Sequence, residues 1–160
     1  MKILIPLITI FFSFSIDAKE LIGQVIKVVD GDTITILDAN KEQFKIRLSG
    51  IDAPEKKQAF GNVSKQSLSE MIAGKEVTID YNKRGRYGRI IGKVLLDSKD
   101  INLEQVKRGL AWHYKQYERE QEVGDRALYA QEEYLAQKDN LGLWKDKNPI
   151  PPWDFRKIPH

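Results

Sequence analysis

Three neighbouring segments decide how the chain folds: VVDGDTI at residues 28–34, FKIRL at 44–48 and GIDAPE at 50–55. The first segment leads into TITIL at residues 33–37, where, as in FKIRL, apolar residues alternate with polar ones as they do in β-strands that bury one face. Acidic residues stand at the ends of these runs, and Arg47 stands inside one of them. Strands that fold side by side would therefore bring several acids and an arginine together.

The residues gathered in this way indicate a particular chemistry. The acids are Asp30, Asp32, Asp52 and Glu55. Their oxygens are the ligands that hard cations such as Ca2+ and Mg2+ take in proteins. A guanidinium beside such a site suits an anionic substrate, and its planar pair of donors fits phosphate best. Taken alone, the dipeptide Asp-Gly is more typical of a hairpin turn, and Arg47 on a strand could simply pair with a neighbouring acid.

Length and composition narrow the class of protein. The chain has 160 residues, which suits one domain with a real core, and no second domain is required. The absence of cysteine excludes disulfides and zinc-thiolate sites. A net charge of +3 favours polyanions as partners, but a charge this small does not identify nucleic acid by itself.

The two ends of the chain differ from the middle. Residues 1–18 contain Lys2, an apolar run over residues 3–14 and a terminal Ala18, which predicts a signal peptide and export to the periplasm or the medium. An uncleaved membrane anchor, with the rest of the chain as a structural envelope domain, is the alternative. The domain itself is assigned to residues 19–147. Residues 148–160 contain four prolines and are predicted to form an extended tail.

The hydrophobic pattern of the domain predicts five short strands and three helices. The strands are expected at residues 21–29, 33–37, 44–48, 76–81 and 90–96. Asn62 and Asn102 are expected to cap the first two helices, which Gly74 and Gly109 would end. The third helix, at residues 125–137, is expected to bury three side chains: Leu128, Tyr134 and Leu135. A helix between the third and fourth strands matches an α+β, mainly β fold, the five-stranded OB-fold barrel.

Five motifs in this order give the chain a recognisable pattern. They are V-x-D-G-D-T, the strand arginine, D-x-P-E, R-Y-G-R at residues 86–89 and G-L-A at 109–111 before an aromatic cluster. Over residues 25–144 the sequence resembles the staphylococcal (micrococcal) nuclease family of thermonuclease-like exported enzymes. The resemblance implies an OB-fold and calcium-dependent hydrolysis of DNA and RNA, single-stranded or locally melted, with little sequence specificity. It also implies 3′-phosphate products and a monomer without a stable protein partner.

The resemblance also implies roles for individual residues. Asp32 and Asp52 would be carboxylate ligands of Ca2+, and the main-chain carbonyl of Ala53 would be the third protein ligand. Asp30 would lie beside these ligands without binding the ion directly. Glu55 matches the glutamate that either takes a proton from the attacking water or orients it.

Four further residues match the family's substrate contacts. Arg47 and Arg89 correspond to the two arginines that bind the scissile phosphate, and electrostatic donors of that kind stabilise the charge that builds up there. Arg86 and Tyr87 correspond to a pair that contacts a terminal phosphate.

The sequence departs from the family pattern in two places. The loop over residues 56–61 is short, which puts substrate access and loop closure in question. The tyrosine on which a base stacks has no clean counterpart, and either Tyr114 or Tyr117 could take that place. A noncatalytic OB-fold module that binds nucleic acid or protein is the alternative function.

Overall fold

The computed structural model describes residues 19–85 and 88–159. The predicted signal peptide at residues 1–18 therefore lies outside the described residues, and so do Arg86 and Tyr87. Within the two described ranges, no helix has the length and apolar character that a membrane span requires.

The described residues form eight strands and four α-helices. The strands are β1 (Lys19–Val28), β2 (Thr33–Leu37), β3 (Gln43–Leu48), β4 (Ile51–Asp52), β5 (Glu76–Arg84), β6 (Ile90–Leu96), β7 (Lys99–Asp100) and β8 (Trp112–His113). The helices are α1 (Gly61–Ile72), α2 (Ile101–Lys107), α3 (Val123–Lys138) and α4 (Pro152–Phe155). Two 3-10 helices lie at Lys115–Glu120 and Gly142–Lys145.

Five of these strands close into a barrel. Neighbours pair antiparallel in the order β3-β2-β1-β5-β6, and a parallel pairing of β3 with β6 joins the two edges. Closure leaves none of these five strands with an unpaired edge along its whole length. The predicted α+β class and five-stranded OB-fold barrel are confirmed, with α1 between the third and fourth barrel strands as expected.

The alternation in the opening segments decides what the barrel buries. Ile34 and Ile36 of β2 and Ile46 of β3 are each 0% exposed. Burying a side chain of this size contributes about 1.5–3 kcal/mol. Because successive strand residues point to opposite faces, Arg47 lies on the other side of β3 from Ile46. The alternating pattern therefore places the isoleucines in the core and Arg47 outside it.

The predicted caps of the first two helices are wrong. Phe60, with a φ of 65°, precedes α1 in place of Asn62, because the helix starts where Gly61 can approach the chain closely. A Cβ on Gly61 would lie 2.0 Å from the main-chain oxygen of Glu55. Asp100 caps α2 by accepting a hydrogen bond from the Leu103 N–H.

Asn102 lies inside α2 and has a different use. Its side chain is 0% exposed, accepts a hydrogen bond from the Val94 N–H (3.1 Å) and donates to the Ser49 oxygen (2.9 Å). It therefore ties α2 to the barrel, which is a tertiary role that the local pattern could not show.

The buried face of α3 also differs from the prediction. Leu128, Tyr134 and Leu135 are 39%, 64% and 38% exposed. The buried residues are Tyr129, Glu133 and Ala136. Tyr129 donates to Asp100 (2.7 Å), while Glu133 accepts from the His113 N–H (3.0 Å) and pairs with Lys115 (2.7 Å). A carboxylate with these partners can be buried, so the buried face of α3 includes the charged residue Glu133.

Gly109 ends α2 as predicted and makes a second close contact possible. Its φ is +65°, and a Cβ there would lie 2.3 Å from the Leu141 oxygen. The Gly109 oxygen also accepts a hydrogen bond from the Leu143 N–H (2.8 Å). After this turn the chain enters β8, where Trp112 is paired with Asp52 of β4. The turn therefore helps to place Asp52.

The proline-containing tail is not simply extended, which corrects the prediction for residues 148–160. It contains α4, and Trp153 of that helix stacks on Tyr114 with ring centroids 5.3 Å apart and an interplanar angle of 7°. Trp153 also meets the edge of Trp112 at 5.6 Å. These aromatic contacts provide apolar area that holds the tail against the domain.

Candidate active site

A cleft of about 870 Å³ opens at the end of the barrel where β2 begins and β3 ends. Seven of the predicted site residues line it: Asp30, Asp32, Arg47, Asp52, Ala53, Glu55 and Arg89. Arg86 and Tyr87 lie outside the described residues, so the structure does not locate them.

Asp32 is held at the base of the cleft by the turn that leads into β2. It is 6% exposed. Its Oδ1 accepts from the Thr33 hydroxyl (3.0 Å), and its Oδ2 accepts from the Ala53 N–H (2.7 Å). Asp30 accepts a hydrogen bond from the Asp32 N–H (3.1 Å). Asp30 thus supports the turn, and the main chain at Ala53 is tied directly to Asp32.

Arg47 joins the two predicted carboxylate ligands. Its Nη2 lies 3.1 Å from Asp32 Oδ2 and 2.9 Å from Asp52 Oδ1. Its Nη1 donates to the main-chain oxygens of Leu48 (2.8 Å) and Ile51 (2.9 Å). Two carbonyls therefore fix the guanidinium, and the same side chain brings both acids to one point.

Burial changes the acidity of Asp32. Loss of solvent raises the pKa of its carboxyl to about 7, and the nearby charges of Asp30 and Asp52 add to the rise. The Arg47 guanidinium and the Ala53 N–H act in the opposite direction. Bringing more positive charge to this carboxyl would favour its ionised form.

Glu55 lies at the open side of the cleft. Its side chain is 40% exposed, and its Oε1 accepts a hydrogen bond from Arg156 Nη1 (2.7 Å). The short loop that follows is compact, since Gln58 accepts from the Glu55 N–H (3.1 Å) and donates to the Ile150 oxygen (2.5 Å). The loop is thereby bonded to the tail.

Arg156 is a site residue that the sequence pattern did not reveal. Its Nη2 lies 2.8 Å from Asp52 Oδ2, and it also lines the cleft. The tail was expected to be extended, so no contact with the acids was predicted. The aromatic residues next to it, Trp153 and Phe155, were the available signal that this segment packs against the domain.

Arg89 lies just before β6 and lines the cleft with Arg47. Within the described part of the chain, its buried Nε has no hydrogen-bond partner. Burying a donor without a partner costs free energy. A side chain whose acceptor is supplied by a bound ligand would be in this state when the ligand is absent.

The acids fit a hard cation through the chemistry of their donors. Residues 19–85 and 88–159 contain no group of three or more His, Cys, Asp or Glu side chains placed to hold a metal. The predicted set instead combines two carboxylates with the main-chain oxygen of Ala53, and all three donors are oxygen. The Arg156 guanidinium already bridges Asp52 and Glu55, so these carboxylates converge on one cationic group.

The two candidate stacking tyrosines differ in access. Tyr114 is covered on one face by Trp153 and meets Tyr117 edge-on, with centroids 4.8 Å apart. Tyr117 is 46% exposed and lines the cleft. Tyr117 therefore has the more accessible ring.

Comparison with known proteins assigns this arrangement to a family. Residues 45–146, more than half of the chain, match the model of the staphylococcal nuclease homologue. The chain belongs to the staphylococcal nuclease family. The resemblance that the motifs indicated is therefore confirmed. Members of this family are metal-dependent nucleases.

Several bacterial relatives are similar over most of their length. The chain is 41% identical to an uncharacterized endonuclease of Escherichia coli, over 98% of both proteins. It is 42% identical to an uncharacterized endonuclease of Haemophilus influenzae, covering 84% of this chain and 72% of that protein. It is 35% identical to a micrococcal nuclease of Shigella flexneri, covering 84% and 80%. These names support hydrolysis of nucleic acid within the staphylococcal nuclease family.

Proposed function

We propose that this protein is an exported, calcium-dependent nuclease that hydrolyses DNA and RNA with little sequence specificity and leaves 3′-phosphate ends. The observation that carries the proposal is the double contact of Arg47 with Asp32 and Asp52. It puts oxygen donors for a cation beside an arginine that suits phosphate. Arg89 lines the same cleft and adds a second guanidinium.

The metal would be held by Asp32, Asp52 and the main-chain oxygen of Ala53, with Asp30 supporting the turn. These oxygens suit Ca2+. When bound, such an ion stabilises negative charge on phosphate oxygens and makes a bound water more acidic. The protein's part is to keep the acids close together, and Arg47 does this through its two ion pairs.

The remaining polar side chains have separate roles in the proposal. Glu55, at the open side of the cleft, takes a proton from the attacking water or orients it, and general-base help contributes about 10²–10⁴ in rate. Arg47 and Arg89 bind the scissile phosphate where negative charge increases. Arg86 and Tyr87, in the segment between β5 and Arg89, contact a terminal phosphate.

The rim of the cleft supports a nucleic-acid strand as the substrate. Arg84 at the end of β5 is exposed and lines the cleft, where it provides positive charge for a phosphate backbone. Its neighbour Lys83 is exposed too and pairs with Glu120 at 2.7 Å. The exposed ring of Tyr117 offers a surface on which a base can stack. These features support our proposal that single-stranded or locally melted DNA and RNA are the substrates. We also propose that the enzyme is a monomer.

A noncatalytic OB-fold module of the same family is the alternative. It would bind nucleic acid or protein through the barrel without cleaving it. The presence of Asp32, Asp52, Glu55, Arg47 and Arg89 in one cleft favours the enzyme. A binding module would retain affinity for a strand with no metal-dependent shortening of it.

Export is proposed from residues 1–18 alone, and it includes both the periplasm and the medium. Mass spectrometry of the protein purified from its native source should find Lys19 as the first residue. A chain that still begins at Met1 and remains with the membrane fraction would refute cleavage and support an anchor.

The choice of metal gives a testable consequence. Ca2+ should support cleavage, whereas Mg2+ should bind but support it poorly, because the smaller ion demands near-ideal octahedral geometry and would change the alignment of water and phosphate. Initial rates on single-stranded DNA with each ion, together with calorimetric binding isotherms, would check this. Equal turnover with Mg2+ and Ca2+ would refute the assignment of calcium.

A further inference from the structure

The C-terminal segment brings Arg156 into contact with two acids of the cleft, Asp52 and Glu55. Arg156 Nη2 lies 2.8 Å from Asp52 Oδ2, and its Nη1 lies 3.3 Å from Asp52 Oδ1. The same Nη1 donates to Glu55 Oε1 at 2.7 Å. One planar guanidinium therefore bridges a predicted metal ligand and the predicted catalytic glutamate.

The segment that carries Arg156 is docked at several points. Trp153 stacks on Tyr114 and touches the edge of Trp112. Before α4, the Ile150 oxygen accepts a hydrogen bond from Gln58, which belongs to the loop after Glu55. The arginine is thus delivered by an ordered element that also contacts the neighbouring loop.

Within the residues that the structure describes, the polar restraint on the Glu55 side chain comes from Arg156. Arg156 donates one hydrogen bond to the Glu55 carboxylate, which is 40% exposed. An exposed glutamate has several rotatable bonds, and catalysis needs it in one geometry. We propose that Arg156 is a positioning residue, which holds the Glu55 carboxylate in a fixed relation to Asp52. This inference rests on the proposed function, where Glu55 handles the attacking water.

The bridge depends on the shape of the guanidinium as well as its charge. Asp52 is 1% exposed, so its charge must be paired, and Arg47 and Arg156 share that task. Two acids close together repel each other unless a cation lies between them. A lysine carries the charge on one nitrogen and cannot present two coplanar donors to two carboxylates.

Steady-state kinetics of Arg156→Lys test the proposal, with Ca2+ at saturation and single-stranded DNA as substrate. The variant should have a kcat lower by about 10–100-fold, the usual effect of removing a residue that orients a catalytic group, with KM little changed. Lys157→Gln is the matched control, because Lys157 is 73% exposed and pairs with Asp154. The control should keep the wild-type kcat.

A double-mutant cycle with Glu55→Gln separates positioning from direct substrate contact. If Arg156 acts through Glu55, Arg156→Lys should cause little further loss of kcat in the Glu55→Gln background. Independent, additive losses would overturn the proposal, because Arg156 would then contact the phosphate or the metal on its own account.

Two further measurements do not depend on turnover. Calcium isotherms should show that Arg156→Lys binds Ca2+ about as well as the wild type, and thermal unfolding should show an intact domain. Tighter Ca2+ binding with undiminished kcat would overturn the proposal and make Arg156 a cation that competes with the metal. Trp153→Ala changes no charge, and by loosening the docked segment it should lower kcat in the same direction.

The outcomes distinguish this inference from the proposed function. A folded wild-type protein without nuclease activity would refute the proposed function itself. An active wild type with an equally active Arg156→Lys variant would refute only the role of Arg156.

Discussion

Replacing Arg47 or Arg89 by lysine should reduce turnover by on the order of 10³-fold or more, the scale found for guanidinium groups in phosphoryl transfer, while the barrel stays folded. Lysine keeps the positive charge but loses the planar pair of donors that matches phosphate. For Arg47 the change also removes the contacts of one side chain with Asp32, Asp52 and two main-chain carbonyls.

Single-turnover rates with saturating Ca2+ would measure these losses, and circular dichroism would confirm the fold. Arg119→Lys is a suitable control, because Arg119 is exposed and lies in the 3-10 helix at Lys115–Glu120. Near wild-type rates in both cleft variants, with unchanged spectra, would contradict the proposal that Arg47 and Arg89 bind the phosphate.

Asp52→Asn should abolish Ca2+-dependent cleavage and weaken Ca2+ binding strongly. Asparagine keeps the size of the side chain and one oxygen acceptor, so Arg47 and Arg156 retain a polar partner in a position that is 1% exposed. The variant loses the negative charge on which a hard cation depends. Calorimetry for Ca2+ binding and a cleavage assay would measure both effects.

Two controls make the Asp52 result specific. Asp139→Asn changes an exposed acid at the end of α3 and should have no effect on either measurement. Ala53→Gly should remain active, because the proposed ligand at Ala53 is its main-chain oxygen. An inactive Ala53→Gly beside an active Asp52→Asn would contradict the proposed ligand set.

The barrel and the centre of the site follow from local patterns that the fold respects. Ile34, Ile36 and Ile46 alternate with polar residues, so the inward face of the first strands can be predicted from the sequence. The same alternation puts Arg47 outside the core. Asp32 and Asp52 stand at the ends of strands that pair with or follow β3, which explains why the structure brings them together.

The features that could not be predicted depend on partners far away in the sequence. Glu133 can be buried in α3 because Lys115 and the His113 N–H accompany it, and no helical periodicity shows such partners. Arg156 meets Asp52 across a separation of 104 residues. The short proline-containing tail has no periodic pattern of its own. Its aromatic residues indicate packing against the domain, but they do not show that Trp153 packs on Tyr114 and Trp112.

One cleavage assay tests whether this protein is a metal-dependent nuclease: residues 19–160 are incubated with end-labelled single-stranded DNA and either Ca2+ or an excess of chelator. We predict fragments with Ca2+ and intact DNA with the chelator. After annealing to a complementary template, a polymerase should extend the fragments only if a phosphatase has first removed their 3′ phosphates. Intact DNA under both conditions, or equal cleavage under both, would contradict a metal-dependent nuclease built on Asp32, Arg47 and Asp52.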